Sequence, residues 1–172
     1  MGKIFLAMQL VSVIWAYPAY ADLFGLAQII DGDTVKIEDV KIRLHGIDAP
    51  ETKQFCNKNG TKWPCGVKAT LALKNIIANK NLTCKKLGQD RFRRIIAKCS
   101  INGKSTEEEI VRLGFALAYR KYSKDYIPAE NFARENKFGI WSGQFIPPWE
   151  WRQGKRLNST NEQTQCPVKG NM

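Results

Sequence analysis

Hydrophobic and polar positions change period several times along the chain, and each change marks an element. Leu26 to Ile30 is a short apolar run closed by the turn residues Asp31-Gly32-Asp33. Val35 and Ile37, then Val40, Ile42 and Leu44, alternate with polar residues as half-buried strands do. Between Gly66 and Lys80 the period lengthens, and Ala69, Leu73, Ile76 and Ile77 fall on one helical stripe. Leu82 to Lys86 and Phe92 to Ile101 flank a turn signal and predict a hairpin. Ser105 with Glu108 forms a capping box, which starts a second helix running through Ile110 and Val111 toward Gly114. Pro128 opens a third helix and Gly139 closes it.

This order predicts an α+β fold dominated by β, a five-stranded OB-fold barrel with three helices. The ends read differently. Residues 1–21 carry Lys3, an apolar stretch from Ile4 to Ala16 and the motif Ala19-Tyr20-Ala21, the three parts of a cleaved signal peptide. The folded domain is then 22–152, and 153–172 is a flexible polar tail. Export to a secreted or periplasmic location follows, with no stable membrane anchor once the signal is removed, and a monomer is expected. The five cysteines fit that setting, since none forms a C-x-x-C pair. Cys84 and Cys99 flank a hairpin turn at distances suited to a disulfide, and Cys56 and Cys65 flank a loop that a second bridge would clasp. Cys166 is left over.

The 172 residues carry 27 Lys plus Arg against 16 Asp plus Glu, a net charge of +11. That excess attracts polyanions without saying which. His45 is the sole histidine, which excludes multi-histidine zinc sites and mechanisms needing two imidazoles. It reads as a strand residue rather than a catalyst.

Candidate chemistry is concentrated in Asp31-Gly-Asp33-Thr-Val35 and Arg43-Leu-His-Gly-Ile-Asp48-Ala-Pro-Glu51-Thr52. Each acidic motif alone is an ordinary turn. Together, at strand ends with an arginine between them, they can converge on one hard cation. Leu26 to Val35 also matches the strand and D-x-D signature of aspartate-nucleophile phosphatases. That chemistry needs a doubly wound parallel sheet, and the hairpin-like alternation after Val35 argues against one.

The pattern Asp33-Thr34-Val35, Arg43, Asp48-x-Pro-Glu51-Thr52 and Asp90-Arg-Phe-Arg-Arg94 resembles the staphylococcal (micrococcal) nuclease family, as does Gly139-Ile140-Trp141-Ser142. The cysteine pattern and the ending Trp149-Glu-Trp151-Arg152 resemble its secreted branch. The resemblance implies a Ca2+ ion held by Asp33, Asp48 and the carbonyl of Ala49. Glu51 would be the general base or water-orienting group, with Arg43 and Arg94 gripping the scissile phosphate. Two guanidiniums suit phosphate oxygens, and a carboxylate-held cation offsets the charge that repels an attacking water.

In this sequence Ala49 stands where the family pattern has threonine, Phe92 replaces a tyrosine and Arg93 a glycine. Arg94 is preferred over Arg93 because Asp90 to Ala97 aligns without a gap, and adjacent strand residues point to opposite faces. The resemblance also places a nucleotide-contacting tyrosine pair near Tyr119 and Tyr122, where aromatics interleave with cations. Trp141, Trp149 and Trp151 read as core and C-terminal anchors. The implied activity is phosphodiester hydrolysis of DNA and RNA. The alternative from another class is an inactive barrel that only binds nucleic acid or another polyanion.

Overall fold

A computed structural model describes residues 22–157. The expected signal, most of the polar tail and Cys166 lie outside the described residues.

The first strand, β1 (Leu23–Ile29), alternates half-buried and exposed positions. Phe24 and Leu26 face outward. The apolar run expected to start at Leu26 therefore begins three residues earlier and is buried on one face only. β2 (Thr34–Ile37) pairs antiparallel with β1 and with β3 (Val40–Leu44). A two-residue β4 (Ile47–Asp48) follows, then a small hairpin of β5 (Cys56–Lys58) and β6 (Thr61–Trp63). Its turn is Asn59-Gly60, both at positive φ, as a two-residue type I′ loop requires. Helix α1 (Cys65–Ile77) carries the stripe of Ala69, Leu73 and Ile77 into the core.

β7 (Asn81–Gln89) then returns beside β1, and β8 (Ile95–Ile101) pairs with β7 through a bulge at Leu87. Phe92, Arg93 and Arg94 lie in the turn between them, where the alternation had placed them on the second strand. Asp90 is the cause: its carboxylate accepts from the N–H groups of Phe92 and Arg94, a local bond that competes with the ladder. β9 (Lys104–Ser105) leads into α2 (Thr106–Arg112), capped by Ser105 Oγ on the N–H of Glu108 at 3.1 Å, as the capping box predicts. β10 (Leu117–Ala118) pairs with β4, and α3 (Ile127–Glu135) follows.

α3 ends at Glu135, four residues before Gly139. A lysine, Lys137, adopts the left-handed conformation (φ 54°), with Lys137 N–H on Arg134 O and Phe138 N–H on Ala133 O, a Schellman closure without glycine. Gly139 serves a different need. A Cβ there would lie 2.1 Å from the carbonyl of Gly114, so the two glycines allow their backbones to meet. A 3-10 turn (Gly139–Ser142) and a fourth helix, α4 (Pro148–Arg152), complete the described chain, one short helix more than the sequence predicts.

β3, β2, β1, β7, β8 and the short β9 form a six-stranded sheet, and a parallel pairing of β3 with β8 (Arg43 opposite Ile96) closes its first five strands into the barrel. Among the described residues no doubly wound sheet is present, which removes the phosphatase reading. Val35, Ile42, Leu44, Leu73, Leu82 and Ile110 fill the main core. Each such side chain contributes roughly 1.5–3 kcal/mol on burial. A second cluster joins Cys56, Cys65, Leu117 and Ile140 with Trp63, Trp141, Phe145 and Trp149. It packs the hairpin, the start of α1 and α4 against one another.

Both disulfides take the pairing the spacing suggests. Cys84 and Cys99 face each other in the β7–β8 register, Cα atoms 4.1 Å apart, and Cys56 joins Cys65 across the small hairpin at 5.6 Å.

Candidate active site

The turn after β1 folds back on itself: Ile30 and Asp31 N–H donate to Thr34 O, and Asp31 Oδ1 accepts from Asp33 N–H at 3.0 Å. This sets Asp33 at the start of β2, buried and directed at the loop after β4. Its Oδ2 accepts from Ala49 N–H at 2.8 Å, and its Oδ1 accepts from Thr34 Oγ1. Asp48 ends β4 with no solvent exposure at all.

Arg43, on β3 opposite Thr34, joins the two carboxylates. Its Nη1 pairs with Asp33 Oδ1, and its Nη2 reaches Asp48 Oδ1 at 2.8 Å and the carbonyl of Ile47 at 3.2 Å. Pairing of this kind is what makes burial of Asp33 and Asp48 tolerable, since an unpaired buried carboxylate would cost several kcal/mol. Asp31, close behind, is raised above the ordinary carboxylate range by burial, against hydrogen bonds from Thr34 and the charge of Arg43.

Glu51 follows the Asp48-Ala-Pro turn, and its backbone is doubly tied to Gln54. Gln54 N–H donates to Glu51 O at 2.7 Å, and Glu51 N–H donates to Gln54 Oε1 at 3.2 Å. α1 presses on the same loop. A Cβ at Gly66 would lie 1.8 Å from Glu51 O, so only glycine fits there. The carboxylate of Glu51 therefore projects from a loop braced on one side by a helix start and on the other by Pro50.

Arg94 approaches from the β7–β8 turn. Its Nε donates to Asp90 Oδ2 at 2.8 Å, and Nη1 stands 3.4 Å from Thr34 Oγ1, next to Asp33. Burial opposes ionisation of Asp90, but the backbone and side chain of Arg94 outweigh it and hold that carboxyl below its usual range. Arg93 occupies the left-handed region (φ 64°) of the turn. Strand alternation is thus not what separates the two arginines; the Asp90 tether is.

Tyr119 and Tyr122 meet edge to face at 4.9 Å. Trp149 covers one face of Tyr119, stacked at 5.5 Å and nearly parallel, while Tyr122 is 57% exposed. The strand before them is held by buried Glu130, which accepts from Ala118 N–H at 2.9 Å. His45 takes no part in this cluster: burial and Lys98 push its pKa down, and its backbone N–H donates to Ala97 O on the seam with β8.

One member of the site went unassigned in the sequence. Arg152, from α4, places Nη2 on Asp48 Oδ2 at 2.7 Å and Nη1 on Asp48 Oδ1 at 3.1 Å and on Glu51 Oε1 at 2.7 Å. Burial alone would lower the pKa of this guanidinium, yet the bonds to Asp48 and Glu51 raise it overall. Hydrophobic periodicity carries no signal for a contact 104 residues away, and the Trp149-Glu-Trp151-Arg152 ending, read as a mark of the secreted branch, assigned its arginine no role.

The donor chemistry can accept a hard cation. Asp33 Oδ2 and Asp48 Oδ2 each take a single hydrogen bond, leaving each a lone pair. Among the described residues no three acidic, histidine or cysteine side chains group closely enough to cage an ion alone. A cation here would rest on Asp33, Asp48, a backbone carbonyl and water, an oxygen-only set that suits Ca2+ or Mg2+.

A closed OB-type barrel that gathers two buried carboxylates and the guanidiniums of Arg43 and Arg94 has the charge pattern of a phosphodiester site. The family model for staphylococcal nuclease homologues matches residues 41–143. An "uncharacterized endonuclease" of Escherichia coli is 35% identical over 158 residues, covering 86% of this chain and 97% of that protein. A protein of the same description from Haemophilus influenzae is 30% identical over 77% of this chain and 74% of its own length. "Staphylococcal-like nuclease CAN1" of Arabidopsis thaliana is 33% identical over 72% of this chain and 36% of its own length. The chain belongs to the staphylococcal nuclease family and is an endonuclease of the hydrolase class.

Proposed function

We propose that the protein is an exported, calcium-dependent nuclease that cleaves DNA and RNA as a monomer, free of any stable membrane anchor. The observation that carries this reading is the bridge of Arg43 across Asp33 and Asp48, with Glu51 and Arg94 at its edges. Asp33, Asp48 and the Ala49 carbonyl would hold Ca2+, which when bound supplies positive charge to the phosphate oxygens and to the attacking water.

The chain's own residues do the rest. Arg43 and Arg94 offer the N–H donors not spent on Asp33, Asp48, Ile47 and Asp90 to the non-bridging phosphate oxygens, where negative charge grows as water attacks. Glu51 accepts the water's proton as the P–O bond to the leaving sugar oxygen breaks, and that oxygen takes a proton from solvent. Exposed Tyr122 and the Tyr119–Trp149 pair offer aromatic surface to an unstacked base. Two disulfides and the pattern of residues 1–21 support export.

The test is cleavage of single-stranded DNA by residues 22–172 in Ca2+, in Mg2+ and in chelator, with Glu51→Gln alongside. Calcium-dependent turnover that falls about a hundredfold or more in the variant, with DNA binding kept, is the expected result. Salt-sensitive retention of DNA without cleavage would make the protein a binding module.

A further inference from the structure

The proposed chemistry leaves Arg152 without a role, although no other side chain among the described residues touches both Asp48 and Glu51. We propose that Arg152 is the positioning residue for Glu51: forked on the buried carboxylate of Asp48, it holds Glu51 Oε1 and leaves Oε2 free for the attacking water's proton. This rests on the reading of Glu51 as the base.

Three observations support it. First, among the described residues the Glu51 carboxylate hydrogen-bonds to Arg152 alone, so no other side-chain bond orients it. Second, Arg152 is itself fixed. Both oxygens of fully buried Asp48 accept from it, in a planar fork that lysine cannot reproduce. Third, the segment leading into the helix that bears it is tied to the Glu51 loop a second time. Gln54 accepts from Glu51 N–H through Oε1 and donates through Nε2 to the carbonyl of Ile146 at 2.6 Å. Trp149, stacked on Tyr119 and packed into the Cys56–Cys65 cluster, keeps α4 in place.

Stability does not account for the Arg152–Glu51 contact. The two side chains are 40% and 35% exposed, and pairs so wetted contribute little to folding. Orientation is what such a contact can supply, because a base displaced by an ångström loses much of its effect.

The experiment is a double-mutant cycle at saturating Ca2+ and single-stranded DNA, with kcat and KM measured for wild type, Arg152→Ala, Glu51→Gln and the double variant. Arg152→Ala should lower kcat by about tenfold to a hundredfold. In the Glu51→Gln background the same change should cost about twofold or less, since its partner is already disabled. Arg152→Lys, which keeps the charge and preserves the fold if alanine does not, should recover little of the loss. Equal losses in both backgrounds, a change confined to KM, or full rescue by lysine would each overturn the proposal. A wild type that cleaves but is unaffected by Glu51→Gln would overturn the reading of Glu51 itself, and this inference with it.

Discussion

At the residue scale, the site depends on which arginine is tethered. Arg94 is held by Asp90 and reaches Thr34 Oγ1, the hydroxyl that donates to Asp33, whereas Arg93 sits in a strained turn conformation with no hold on the site. Arg94→Ala should therefore lower kcat by about a hundredfold or more, as loss of a donor to a developing oxyanion does. Arg93→Ala should leave kcat within about twofold, as changes on an exposed turn usually do. Steady-state kinetics of the two variants decide it, and the reverse order would move the phosphate contact one position back. Asp33, Arg43, Asp48 and Glu51 were legible in sequence because two short turns and one strand bring them together. Arg152 was not, because its partner is fixed by the packing of tryptophans onto a disulfide cluster, and no local pattern records that.

At the scale of elements, the two disulfides brace different things. Cys84–Cys99 staples a ladder that is already paired on both sides, while Cys56–Cys65 clamps the β5–β6 hairpin to the start of α1, where Gly66 touches the Glu51 loop. Loop-closure entropy gives each bridge about 3 kcal/mol. The two cysteine-to-serine pairs should consequently cost similar stability in thermal unfolding. Activity at a temperature where both remain folded should drop mainly in Cys56→Ser/Cys65→Ser. Equal activities would show that the hairpin does not brace the Glu51 loop. The barrel strands, α1 and the α2 cap could be read from period and capping chemistry. The end of α3 could not, since a lysine took the left-handed position that composition assigns to glycine. α4 is too short for any periodicity to show.

For the whole molecule, the buried Glu107 sets a pH dependence of folding. Burial lifts its carboxyl from 4.5 to about 7, against hydrogen bonds from Cys99 N–H and Ser105. The unfolded chain releases that proton near pH 4.5 while the folded protein keeps it until about 7. The folded state binds more protons in this window, so this contribution is complete below pH 4.5 and is lost as pH rises to about 7. The loss is on the order of 3 kcal/mol. Glu107→Gln, which keeps an acceptor for Cys99 N–H, should flatten the melting temperature across that range. An unchanged slope would assign the dependence to other groups.

The reach of Arg152 back to Asp48, 104 residues earlier in the chain, has a consequence for biosynthesis. The ion-pair network that joins Asp48 to Glu51 exists only once residue 152 has been translated and α4 has docked. Every shorter nascent chain, whether still on the ribosome or released by premature termination, lacks it. A chain cut short of Arg152 thus keeps the Arg43 bridge between Asp33 and Asp48 but has nothing to join Asp48 to Glu51.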